Sequence, residues 1–158
     1  MTELALINRL IGYIQVKKLK YALVHEWLTP LATGGSELVV QEILKHLDEA
    51  DIYALIDFES ANPESYLFGR QIGTTFLQHF PKARSGVQKY LPFLPIAIEQ
   101  LDLREYDIIL SSSHAVAKGI LSSPGQLHIC YCHTPMRYAW DLTFDYLEQS
   151  NIHWGLKG

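Results

Sequence analysis

The chain has 158 residues, 48% of them hydrophobic and 19% charged, and carries a net charge of −4. That length supports one domain with its own core, and the negative balance argues against nucleic acid as a partner. Its two cysteines, Cys130 and Cys132, sit two apart and cannot staple a fold, which points to a reducing compartment.

No run approaches the roughly 18 apolar residues of a membrane span. In the opening MTELALINRLIGYIQVKKLK the positive charges follow the apolar stretch, unlike a signal peptide. The expected location is the cytoplasm. Leu4, Ile7, Leu10, Ile11 and Ile14 recur at helical spacing, so residues 1–18 read as an amphipathic amino-terminal helix. It either docks on the domain's own core or, with Lys17, Lys18 and Lys20 behind it, lies peripherally on an anionic membrane face.

Residues 19–158 read as one α/β domain. YALVHEW (Tyr21 to Trp27) is the first strand, and TPLATGG is a loop. SELVVQEILKHL carries Leu38, Val39, Ile43, Leu44 and Leu47 in a helical pattern, and DIYALI (Asp51 to Ile56) is the second strand. The opening is thus the parallel strand–helix–strand unit. DFESANPESYLFGR is a loop, QIGTTFLQHF a short strand running into a helical turn, and Pro92 and Pro95 suit a helix start. DIILSSS (Asp107 to Ser113) and LHICYCH (Leu127 to His133) are further strands, with the short HAVAKGI turn after the first of them. MRYAWDLTFDYLEQS (136–150) forms a last helix. Continuous apolar strands between helical segments predict a Rossmann-like, mainly parallel sheet covered on both faces. Ligands of such sheets bind beyond the carboxyl ends of the strands. There the sequence puts His25-Glu26-Trp27, Ser111 to His114, and His133-Thr134-Pro135.

Gly34 and Gly35 open the first helix, whose free N–H groups and dipole attract a phosphate or carboxylate. The same glycines also suit a plain tight turn. They match neither the dinucleotide fingerprint nor a Walker A loop. HICYCH invites a zinc reading, but on a strand His128 and Cys132 stand about 13 Å apart and cannot share an ion. No metal is expected, and the cysteines read as small core residues. Serines 111–113 beside His114 lack the nucleophile elbow of a hydrolase and suit a strand end that bonds ligand or backbone. His133 stands where Pro135 takes the chain out of the ladder, so its side chain either projects into the cleft or is a satisfied structural histidine. Arg137, Tyr138 and Trp140 read as a cleft wall for a phosphate or sugar ring, or as a helix face packed on the sheet.

VHEWLTPLATGGSE, ADIYALI, YDIILSSSHAVAKGI and LHICYCHTPMRYAWD together resemble the amino-terminal domain of family 4 (group 1) retaining glycosyltransferases, over about residues 20–158. The likeness is to the mannosyltransferase-like branch of polysaccharide and cell-surface glycan assembly. It implies a GT-B half and transfer of a sugar from a nucleotide-sugar donor, a substrate rather than a cofactor, to a glycan or lipid-linked acceptor. By resemblance, Gly34 and Gly35 approach the donor diphosphate, and His133 is the catalytic candidate that reaches the donor sugar. Glu37, Ser113, His114, Arg137 and Tyr138 are implied as further substrate-binding residues. Glu26 stands where the family pattern leads one to expect aspartate. The family also has a second, donor-binding domain of comparable size. The expectation is that this half is missing here and comes, if at all, from a separate chain or through a homo-oligomer. A second expectation, of a different class, is a non-catalytic glycan-binding or regulatory domain from a split or truncated gene.

Overall fold

The structure is a computed structural model that describes residues 19–30 and 34–134. The amino-terminal helix, the 136–150 helix, Arg137, Tyr138 and Trp140 all lie outside the described residues.

Five strands, β1 (Tyr21–Leu28), β2 (Asp51–Asp57), β3 (Ile72–Thr74), β4 (Ile108–Ser113) and β5 (Leu127–Cys132), form one sheet in the order β3-β2-β1-β4-β5. Every neighbouring pair is parallel, so the fold is an α/β, Rossmann-like one. β1 is central, flanked by β2 through Ala22↔Asp51 and by β4 through Tyr21↔Ile108. The chain builds outward on one side of β1, then crosses to the other, which makes the β1/β4 crevice the point where strand order reverses.

The period-2 alternation of β1 divides the core. As far as Val24, Ala22 and Val24 join Leu77, Leu94, Ile98 and Ile109 on one face and Leu23 joins Val40, Leu44 and Ile52 on the other; toward the carboxyl end the alternation breaks, Trp27 packing into the first cluster and Leu28 into the second. The first face is covered by α2 (Ala83–Gly86), α3 (Leu94–Glu99) and the 3₁₀ turns around them. The second is covered by α1 (Gly35–His46) through Val40 and Leu44, each contributing about 1.5–3 kcal/mol by burial. Leu38, expected on the apolar stripe of α1, is instead 67% exposed. It lies two residues, about 200° of helix, from the buried Val40.

β5 departs from expectation. It is an edge strand, with Leu127, Ile129 and Tyr131 exposed on one face and both cysteines exposed on the other. Cys130 and Cys132 are therefore free surface thiols, not core residues, because no described element packs over this strand. Among the described residues no group of His, Cys, Asp and Glu is placed to hold a metal ion, and no helix is long and apolar enough to cross a membrane.

Candidate functional site

The carboxyl ends of β1, β4 and β5 bring polar residues together. β1 ends in His25, Glu26 and Trp27, and β4 in Ser111, Ser112 and Ser113, all almost wholly buried. Polar groups survive at such burial only when bonded, and nearly every one of these is.

Glu26 accepts from five donors. Oε1 takes the Ser113 hydroxyl at 2.8 Å and the backbone N–H groups of Ala115 at 2.7 Å and Ala117 at 3.0 Å. Oε2 takes the His114 backbone N–H at 3.1 Å and its ring Nδ1 at 3.0 Å. Burial would raise the carboxyl, but the His114 ring and the N–H groups of Ala117 and Ala115 more than offset it and hold its pKa at about 2. Its ionised oxygens fix His114 with the proton on Nδ1. Nε2 of His114 makes no hydrogen bond among the described residues. Trp27 packs edge-on against this ring, with centroids 4.7 Å apart.

Each serine of β4 serves a different partner. The Ser111 hydroxyl bonds His128 Nε2, Ser112 bonds His133 Nε2, both at 2.8 Å, and Ser113 bonds Glu26. The His133 backbone N–H also extends the ladder to the Ser113 carbonyl at 2.9 Å. Burial, helped by the charges of His25 and His114, lowers His133 below the usual imidazole range, so the ring is neutral at pH 7. With Nε2 tied to Ser112, Nδ1 is the nitrogen left for a ligand.

His25 is fully buried and donates Nδ1–H to the Ser112 carbonyl at 2.9 Å. Its Nε2 has no hydrogen-bond partner among the described residues; Glu37 Oε1 lies 3.8 Å away. Burial would raise the Glu37 carboxyl, but His25 and the Ser36 hydroxyl hold it down at about 2. Glu37 Oε2 accepts the Gly34 N–H at 2.8 Å and thereby caps its own helix. The Gly34-Gly35 amino terminus of α1 is thus already served by a carboxylate, while the face of Gly35 is open.

Of the residues singled out from sequence, His133, His114, Ser113 and Glu37 join one network at the strand ends, and Gly34 joins it through Glu37. Two central members, Glu26 and His25, stand at the strand end that the sequence marks but are not among its candidate site residues. Their positions at the end of an apolar strand were the available signal, since a glutamate there must find partners. Comparison of the chain with protein-family models, curated proteins and solved structures finds no significant match.

Proposed function

We propose that the chain is the acceptor-side half of a retaining glycosyltransferase, moving a sugar, mannose by resemblance, from a nucleoside diphosphate sugar to a glycan or lipid-linked acceptor. The observation that carries this reading is the Glu26, His114 and His133 cluster at the β1/β4 strand-order reversal, where parallel sheets hold ligands. In the transfer, the bond from the anomeric carbon to the diphosphate breaks and one to an acceptor hydroxyl forms. That hydroxyl's proton passes to the leaving diphosphate. A neutral His133, oriented by Ser112, would hydrogen-bond the sugar, and backbone N–H groups at α1 would stabilise charge on the leaving group.

The Glu37 cap supports the second reading. A diphosphate reaching the Gly34 N–H must displace Oε2 of Glu37; a domain that binds glycan without transfer needs no such movement.

The test is a titration of the chain, together with whatever partner co-purifies from its own cells, with GDP-mannose and UDP-sugars, followed by a transfer assay. Saturable binding and turnover lost in His133→Ala are expected. Glycan binding with no nucleotide-sugar binding by any assembly would replace the transferase with the binding domain. Turnover unchanged in His133→Ala would remove that residue's role.

A further inference from the structure

A cavity of about 730 Å³ lies between α1 and the 57–70 loop, within the roughly 300–1,000 Å³ typical of ligand sites. It shares Gly34 and Glu37 with the strand-end network, and its other polar lining comes from Gln41, Glu59, Asn62, Glu64, Ser65 and Tyr66. Three features define what it can hold.

Its lining is rich in acceptors and, among the described residues, has no cation. Arg70, whose charge reaches Tyr66, turns its guanidinium to the Asp48 carbonyl at 3.2 Å and does not line the cavity. While Glu37 keeps its cap on the Gly34 N–H, anions are opposed by Glu37, Glu59 and Glu64, and no phosphate or carboxylate is matched there.

Glu59 Oε1 is shielded from solvent yet has no hydrogen-bond partner among the described residues. A buried carboxylate oxygen without a donor is costly, so the group is suited to a ligand that brings one. Burial and the charges of Glu37 and Glu59 push the Tyr66 phenol up to about 12, so it stays neutral.

The third feature is apolar. Leu38, 67% exposed, stands in the lining beside Pro30 and Tyr66. An acceptor-rich lining that also holds exposed apolar surface matches a ring with hydroxyls at its rim and C–H groups on its face. No metal-holding group occurs among the described residues, so a divalent cation does not explain the carboxylates.

We propose that this cavity binds a sugar ring that is uncharged or carries an amine, through its hydroxyl or ammonium donors, and rejects acidic sugars. The assignment stands on the cavity itself. Under the transferase reading it is the seat of the acceptor and sets that acceptor's charge class.

Amide spectra of the full chain titrated with methyl α-mannopyranoside, glucosamine, glucuronate and inorganic phosphate test it. The first two, or glucosamine alone if the ammonium dominates, should give saturable shifts at Asn62, Ser65 and Tyr66. Glucuronate and phosphate should bind at least about tenfold more weakly, since each sets a negative charge beside the cavity's carboxylates. Glu64 is exposed, so Glu64→Lys keeps the fold and should strengthen glucuronate while weakening glucosamine. Glucuronate binding as well as the neutral probe, shifts placed elsewhere, or no saturable shift with either neutral or amine probe would overturn the proposal. The transferase reading places nucleoside diphosphate sugars at His133, so their binding would survive that loss.

Discussion

Glu26 Oε2 lies 3.0 Å from His114 Nδ1, and both groups sit at the strand-order reversal of the sheet. The carboxylate is fully buried and the ring side chain is 22% exposed, so the pair has one sealed end and one end open to the cleft. Glu26 is a positioning residue: it sets which nitrogen of His114 carries the proton and fastens the 113–117 turn. Removing it leaves the Ser113 hydroxyl and the Ala115 and Ala117 N–H groups without an acceptor. Glu26→Ala should cost about 3–5 kcal/mol, as breaking a buried charged pair does. Glu26→Asp, the residue the resemblance leads one to expect, withdraws the carboxylate by one methylene and should cost about 1–3 kcal/mol. Urea unfolding of both variants checks this; an aspartate variant as stable as the parent would show that the turn follows the carboxylate inward.

Acid should unfold the protein through two carboxylates. Glu26 and Glu37 are held at about 2 in the folded chain, against about 4.3 in an unfolded one. Their contribution is complete above pH ~4.3 and disappears as pH falls through 2. For Glu26 it is on the order of 3 kcal/mol. Unfolding free energy measured from pH 5 to pH 2 should fall steeply, and Glu26→Gln should flatten the slope.

Histidine titrations should move the opposite way from those of a salt-bridged surface histidine. His128 is lowered by burial, and His133 by burial and neighbouring histidines. Below pH ~6.5 the unfolded chain takes up those protons first, so both residues favour unfolding as the pH drops. Ring resonances followed by NMR should give both midpoints under 6.5. A His133 midpoint above that would mean Glu26 and Glu37 dominate its field.

At the other end of the sheet, Tyr106 donates its hydroxyl proton to Asp51 Oδ2 at 2.8 Å and accepts from the Tyr53 hydroxyl at the same distance. Tyr106→Phe should cost about 1–2 kcal/mol. Gly73, paired with Tyr53 in the ladder, has no room for a Cβ, which would run into the Tyr53 ring. Gly73→Ala should cost about 1–3 kcal/mol by overpacking. Thermal unfolding of the two variants checks both, and an unchanged Gly73→Ala would show that the Tyr53 ring swings away freely.

Strand positions were readable to within a residue because each strand is a continuous apolar run between turn residues. β1 was expected over 21–27 and spans Tyr21–Leu28; the short strand running into a helical turn is β3 and the 3₁₀ helix Phe76–His79. The identity of Glu26's partners left no local trace, because all of them lie beyond residue 112 and four of its five bonds depend on how a distant turn folds. The exposure of β5 was illegible for the converse reason. Apolar alternation reports what a strand could bury, not whether it ends up at an edge, and so Cys130 and Cys132 read as core.

The donors that neutralise Glu26 stand 87 to 91 residues away along the chain. During synthesis β1, α1 and β2 can leave the ribosome and pack while that carboxylate has nothing to bind. It must stay hydrated, and the end of β1 must stay open, until β4 and its turn arrive. Domains dominated by such distant pairings fold slowly. The strand-end network is thus a late event in the life of each molecule, and a chaperone or protease meeting the nascent chain would find this edge of the sheet the last to close.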